Sequence, residues 1–434
     1  MIGRNPITGP SGANRKLRSV WLLLSAALLL AAPGCVDWGE QPITPPAEGT
    51  DEFGTFRRVG GIGVLTVWGD PHQRGLAHGR LLAQGVLDMV DTIGGSSLLI
   101  QRKGDYERVI LPMMGRFVFE EPELEELQGI LDGVREKLGD KAIPRRLGRP
   151  ITLGDLKAAN TAGDWYRQAC SSFVAWGSRT RDGHVWVGHN FDFMPAKAFF
   201  PHQMIVVRRA LGVRKAWATA SAPGFIGCIT GINSDGVFAT THDVFLPMRP
   251  VDWGYAPRLL VLRRLLENCS GRDLAAQALP VLEASRQMFD NAMLLAAPVA
   301  DGTPPAVVFE CGVDRSRDKG VTVRRPQDND AQLGPDAIVC ANHFRKRAGP
   351  RADPLPYRYP LMRDVLNAKA ARGDETDFAV ARKTMGAARL PITVHTVIAD
   401  LTTMDFWYAP GEFLSPPGPR DFVRLPMKEW LEGR

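Results

Sequence analysis

The chain has 434 residues, 53 of them Lys or Arg and 47 Asp or Glu, for a formal net charge of +6. The excess sits at the amino terminus, where Arg4, Arg15, Lys16 and Arg18 are accompanied by no acid, which leaves 49 basic against 47 acidic residues, or +2, for the rest. No basic block or aromatic-interleaved patch remains to support a nucleic-acid partner, and without CxxC, HExxH or a phosphate-cradling glycine loop no motif points to a metal or cofactor.

Residues 1–35 read as a secretory signal: a basic start, an apolar run from Val20 to Ala32 and small residues before a cleavage point, too short for a membrane span. The end of this segment, Ala32-Pro33-Gly34-Cys35, resembles a bacterial lipobox, which implies lipidation at Cys35 and an exported lipoprotein on the periplasmic face of a membrane or the cell surface. Plain secretion fits the same pattern. Residues 36–57 hold Pro42, Pro45 and Pro46 with few apolar side chains and read as a disordered tether.

The stretch 58–169 reads as mainly helical. Leu82, Val86, Met89, Val90 and Ile93 recur at helical spacing, as do Leu124, Leu127, Leu131, Val134 and Leu138, and Thr152-Leu153-Gly154-Asp155 reads as a capping box. From Cys170 onward the texture changes to strands at 172–177, 184–192, 204–209, 215–219, 225–231 and 236–241. Two helices follow near 257–267 and 273–284, the second with Ser270 as the expected N-cap. Further strands fall at 291–297, 306–312, 320–324 and 337–342, then helices near 356–366 and 375–385, and a hairpin through 393–400 and 404–409. Runs of strands with helices between them predict an α+β architecture, two face-to-face sheets between helical layers. Cys228, Cys269, Cys311 and Cys340 permit three disulfide connectivities and identify none, and Cys228, Cys311 and Cys340 read as core.

The chemistry centres on a turn. Arg181-Asp182-Gly183 separates two runs rich in β-branched and aromatic residues, so the chain doubles back and brings Cys170 opposite a position within about three residues of Asp192. A thiol is mostly protonated at neutral pH and needs a base to become a nucleophile. No histidine stands at a recognisable spacing to serve. Cutting the Ala169–Cys170 bond would supply one, because the new α-amine of Cys170, with an ordinary pKa of about 8, can exchange a proton with its own thiol, and Asp192 can orient that amine.

Several motifs stand in order around this pair: Gly69-Asp70-Pro71-His72 with Gly75-Leu76-Ala77-His78-Gly79, Ala169-Cys170-Ser171-Ser172-Phe173, Gly188-His189-Asn190-Phe191-Asp192, Gly231-Ile232-Asn233-Ser234-Asp235-Gly236-Val237, Asn342-His343-Phe344 and Arg358-Tyr359. Together they resemble the acyl-coenzyme A:isopenicillin N acyltransferase-like family of autoproteolytic cysteine acyltransferases and hydrolases, over about residues 60–415. The resemblance implies a four-layer αββα sandwich of the N-terminal nucleophile hydrolase type. It also implies self-cleavage between Ala169 and Cys170, giving a small subunit, 58–169, and a large one, 170–434, that stay associated. Cys170 is then the nucleophile, Asp192 the holder of the amine, Asn342 an oxyanion donor or a second orienter of the amine, and Arg358 a positive charge beside the thiol. His242 stands where relatives often place an oxyanion asparagine, and is either a donor in its place or a loop residue. His189 stands where bile salt hydrolases place an arginine. The activity expected is cleavage of the amide of an N-acylated small molecule through a thioester, without a cofactor. An esterase or phospholipase B-like activity on the same scaffold, or a binding lipoprotein without turnover, are the alternatives.

Overall fold

A computed structural model describes residues 45–94, 104–164, 168–193, 197–245, 252–299, 302–329, 331–334, 336–348, 353, 355–370 and 376–433. The expectations on residues 1–44, Cys35 among them, lie outside the described residues. Among the described residues no helix is long and apolar enough to cross a membrane.

Two sheets form the centre. The first has ten strands in the order β1-β2-β3-β6-β7-β8-β9-β10-β11-β12: Gly49–Asp51, Gly54–Val59, Ile62–Val67, Met204–Arg208, Trp217–Ser221, Thr230–Asn233, Phe238–Asp243, Asn291–Ala296, Ala306–Cys311 and Val321–Arg324. The second has six, in the order β13-β4-β5-β14-β15-β16: Ala337–Cys340, Ala169–Ala175, Trp186–Asp192, Thr393–Asp400, Asp405–Pro410 and Val423–Leu425. Val64, Val207, Ala218 and Leu294 of the first sheet share one apolar core with Val174, Val187, Val397 and Tyr408 of the second, so the sheets pack face to face.

Helices cover both outer faces. On the side of the larger sheet lie α1 (Pro71–Leu81), α2 (Ala83–Gly94), α3 (Glu121–Leu138), α4 (Leu153–Asn160), α5 (Arg258–Asn268) and α6 (Leu274–Ala284), of which α1, α5 and α6 pack on its strands and α2, α3 and α4 pack on one another and on α1 and α5; on the smaller lie α7 (Arg358–Ala370) and α8 (Phe378–Ala388). Strands covered on both faces need apolar side chains on both, which is why β3, β4, β5 and β14 are buried along their whole lengths. The fold is therefore α+β with four layers, αββα.

Three expectations are corrected. The tether stops short of residue 57, because β1 and β2 already belong to the ten-stranded sheet. The segment before Cys170 is not only helical: its β3 runs parallel to β6, so it completes a sheet made otherwise by the later chain. The N-cap of α6 is Asp273, whose side chain accepts the Ala276 N–H, and not Ser270, which instead bonds Gln277. The capping box at Thr152 and Asp155 forms at α4.

The Gly75/Gly79 motif has a packing reason. It lies on α1 against Gly129 and Gly133 of α3, and a Cβ on Gly75 or Gly79 would collide with the main-chain oxygen of Glu126 or Ile130, while one on Gly129 or Gly133 would collide with that of His72 or Leu76. Two helices touch backbone to backbone there. Gly129→Ala is expected to lower stability by about 1–3 kcal/mol, since overpacking outweighs the better helix propensity of alanine. A thermal unfolding midpoint equal to that of the unsubstituted protein would contradict this packing.

Candidate active site

Cys170 is the second residue of β4 and is buried. The β4–β5 register sets Ala169 against Asp192 and Cys170 against Phe191, with Asp182 and Gly183 at positive φ in the connection. Side chains alternate across a strand, so Cys170 and Ser172 share the face that Val174 turns to the inter-sheet core, while Phe173 and Ala175 face α7 and α8. Cys170 belongs to a buried apolar cluster with Met89, Ile93, Phe191, Phe199, Phe225 and Leu259, to which both the earlier and later chain contribute.

Polar groups hold the other side. The Cys170 N–H donates to Asn342 Oδ1 at 3.0 Å. Arg358 donates from one terminal nitrogen to the same oxygen and from the other to Asp192 Oδ2, the latter at 2.8 Å. The Thr393 hydroxyl donates to the remaining Asp192 oxygen. All four residues are buried. In the continuous chain the carboxylate thus reaches the Cys170 nitrogen through Arg358 and Asn342, two links further back than direct contact. Asn342 Nδ2 donates to the main-chain oxygens of Gln168, at 3.1 Å, and Asp243, at 2.6 Å.

Burial pushes the Cys170 thiol up to about 12, with Asp192 adding to the rise, against the Asp192 backbone N–H and the Arg358 and Arg258 guanidiniums. Uncut, the thiol is a protonated and poor nucleophile. Burial also raises Asp192 to about 6, with Arg358 and Thr393 opposing, so it is ionised at neutral pH.

His242 is not free to serve an oxyanion. It lies on β9 and both ring nitrogens are engaged, Nε2 with Ser172 Oγ at 2.7 Å and Nδ1 with the Ala292 oxygen at 3.2 Å. A carbonyl can only accept, so Nδ1 carries the proton and Nε2 accepts from Ser172. His242 is also no loop residue. His189 likewise sits in the inter-sheet core, bonded to Thr230 and Thr240, and Thr230 connects it to His395. His343 pairs with Asp353 at 2.7 Å beside Tyr359, and His78 accepts the Gly224 N–H at 2.9 Å. Cys170, Cys228, Cys269, Cys311 and Cys340 are all free of disulfides and buried.

Two buried residues that sequence reasoning missed belong to the same cluster. Asp243 accepts the Gln168 N–H and pairs with Arg258. Neither carries a local signal: one ends a strand and the other opens a helix.

The two sheets between helical layers, with Cys170 at the start of an inner strand, form an αββα sandwich, the layering that the sequence resemblance implies. Residues 178–382 match the family described as acyl-coenzyme A:6-aminopenicillanic acid acyl-transferase, the family that the sequence resembles. That span holds Asp192, Asn342 and Arg358 and begins after Cys170. No curated relative matches the chain. Among solved structures, an N-acylethanolamine-hydrolyzing acid amidase ortholog of Caenorhabditis elegans is 15% identical, covering 59% of this chain and 100% of its own at a TM-score of 0.39. A mutant of conjugated bile acid hydrolase from Clostridium perfringens is 13% identical over 60% and 93%, at 0.38. Penicillin V acylase from Agrobacterium tumefaciens is 13% identical over 56% and 83%, at 0.36. The family match supports an enzyme of the acyltransferase class.

Proposed function

We propose that the protein is an exported, lipid-anchored amidase that cuts itself before Cys170 and then uses Cys170 as an amino-terminal nucleophile on N-acylated small molecules. The observation that carries this reading is the buried relay from Asp192 through Arg358 and Asn342 to the Cys170 nitrogen. A main-chain N–H inside a strand needs only a carbonyl partner. An amine that must be held and must exchange protons needs a built polar site, and here one stands ready.

In the cut protein the α-amine takes the thiol proton and the thiolate attacks the acyl carbonyl carbon. The amide nitrogen leaves with that proton, and a thioester remains. Water then adds to the thioester carbon, with the amine again as base, and returns the thiol. Asn342 Nδ2 would have to exchange its bond to the Gln168 oxygen for one to the developing oxyanion, a kind of donor typically worth about 3 kcal/mol of barrier. The apolar cluster that holds Cys170 favours an alkyl or aromatic acyl group over a charged one, because an ion there would lose its hydration without a partner.

The two pieces would stay together through buried contacts. Burial alone would raise the Glu126 carboxyl of α3, yet Arg208, Arg263 and Arg74 hold it down to about 2, and Arg208 and Arg263 come from the other side of the cut.

The test is a panel of N-acyl amino acids, β-lactam side-chain amides and the matching esters. Release of amine from apolar acyl amides, absent in Cys170→Ala, is the expected result. Equal turnover in Cys170→Ala would remove the assignment.

A further inference from the structure

Neither Asp243 nor Arg258 makes a bond to the reacting atoms in the reaction just described, yet both are buried and Asp243 is bonded two residues before Cys170, just ahead of the bond to be cut. Asp243 Oδ2 accepts the Gln168 N–H at 2.7 Å, and its main-chain oxygen accepts Asn342 Nδ2 at 2.6 Å. Its other carboxylate oxygen pairs with Arg258. Arg258 in turn donates from its second terminal nitrogen to the Gly163 oxygen and from its backbone to the Asp164 carboxylate, at 3.1 Å. The chain therefore approaches the Ala169–Cys170 bond between fixed points at Gly163, Asp164 and Gln168. Beyond the bond, the Cys170 N–H is fixed by Asn342.

A thiol attacks the carbonyl of its own preceding residue only when the sulfur comes within about 3–3.5 Å of that carbon along the right direction. Whether it does depends on how one peptide plane is turned. The Cys170 N–H lies in that plane, and the Gln168 N–H, two peptide units before it, fixes the chain that leads into it.

We infer that Asp243, braced by Arg258, is a positioning residue for self-cleavage, turning the Ala169–Cys170 peptide toward the Cys170 thiol. This rests on the self-processing reading above. In the step it serves, the Cys170 sulfur bonds to the Ala169 carbonyl carbon, the carbon–nitrogen bond breaks, and the thiol proton passes to the nitrogen, which becomes the free amine. Water then adds its hydroxyl to the thioester carbon and its proton to the sulfur, leaving a carboxyl on Ala169 and a thiol on Cys170. The Asp243 side chain touches none of the reacting atoms. Only its main-chain oxygen supports Asn342, and that survives a side-chain substitution.

The experiment follows conversion of purified full-length chain to two pieces by intact mass in the unsubstituted protein, Asp243→Ala and Asp243→Asn, beside acyl turnover per titrated amino-terminal cysteine. Conversion is expected to slow about 10- to 100-fold in Asp243→Ala, and less in Asp243→Asn, which keeps an acceptor for the Gln168 N–H. Turnover per cut molecule is expected to fall less than conversion does, because the Gln168 anchor acts on orientation before the cut. Conversion of Asp243→Ala at the unsubstituted rate, or equal losses of conversion and turnover, would overturn the positioning role. If Asp243→Ala does not fold, Asp243→Asn decides, and an undiminished rate there overturns it. An unsubstituted protein that never cuts removes the parent reading and this inference together, whereas variants that keep pace with a cutting parent remove only the inference.

Discussion

Arg358→Leu is expected to abolish conversion to two pieces and to destabilise the chain by about 3–5 kcal/mol, the usual cost of leaving one partner of a buried ion pair alone. Arg358 bonds both Asp192 and Asn342 and so joins the two halves of the relay. Without it the Asp192 carboxylate keeps Thr393 but loses its counter-charge, and Asn342 loses the group that fixes the oxygen facing the Cys170 nitrogen. Loss of a preorganised polar partner of this kind lowers rates by roughly 100- to 1000-fold. Arg358→Lys restores the charge but not the fork, since an ammonium is a point donor on a flexible stem, so it should recover stability more than rate. Conversion followed by mass, beside chemical unfolding, separates the two effects. An Arg358→Leu chain that matures at the unsubstituted rate would remove the relay from the account.

Acid is expected to unfold the protein well above the range where most surfaces lose their ion pairs. Burial holds His78, His242 and His395 down to about 3 and His189 well below its ordinary value of 6.5. The unfolded chain therefore binds more protons than the folded one as pH falls below about 6.5. The stability carried by each neutral histidine is complete above that pH and is lost at about 1.4 kcal/mol per pH unit as pH falls toward 3. Asp164 and Asp192, both raised to about 6 by burial, work the other way between 6 and their ordinary 3.8, because there the folded state binds the extra proton. Glu126, held to about 2, joins the histidines below its ordinary 4.5. Four histidines outweigh two carboxylates, so the net direction is loss. Urea unfolding at pH 7, 5.5 and 4.5 should show a midpoint that falls steeply at each step. A midpoint unchanged to pH 4.5 would mean that these histidines are not the buried neutral groups described.

The parts of this molecule that announce themselves in the sequence are the ones set by local chemistry. The Asp182-Gly183 turn fixes the β4–β5 register closely enough to bring Cys170 and Asp192 to neighbouring positions, and the Thr152 and Asp155 pair caps α4 by the reciprocal bonds its spacing allows. Periodicity finds α2 and α3 because each buries one stripe. The misses share a different cause. β1 and β2 are short and carry Asp51, Arg57 and Arg58, so nothing in their composition separates an edge hairpin from a polar tether. Ser270 and Asp273 are equally good caps by type, and only the placement of the Ala276 N–H decides between them. Asp243 and Arg258 look like a strand end and a helix surface, and their partners at Gln168 and Gly163 lie far away along the chain. For His242, the bond to Ser172 depends on two sheets meeting face to face, which no spacing within one strand encodes.

The central claim is that the chain cuts itself to free the Cys170 amine. Intact mass and amino-terminal sequencing of the domain, expressed without residues 1–35 beside a Cys170→Ala variant, test it most directly. The account predicts two associated pieces in the unsubstituted protein, the larger beginning at Cys170, and a single uncut chain in the variant. A single chain in both would contradict it, and the base for the Cys170 thiol would then have to be found elsewhere.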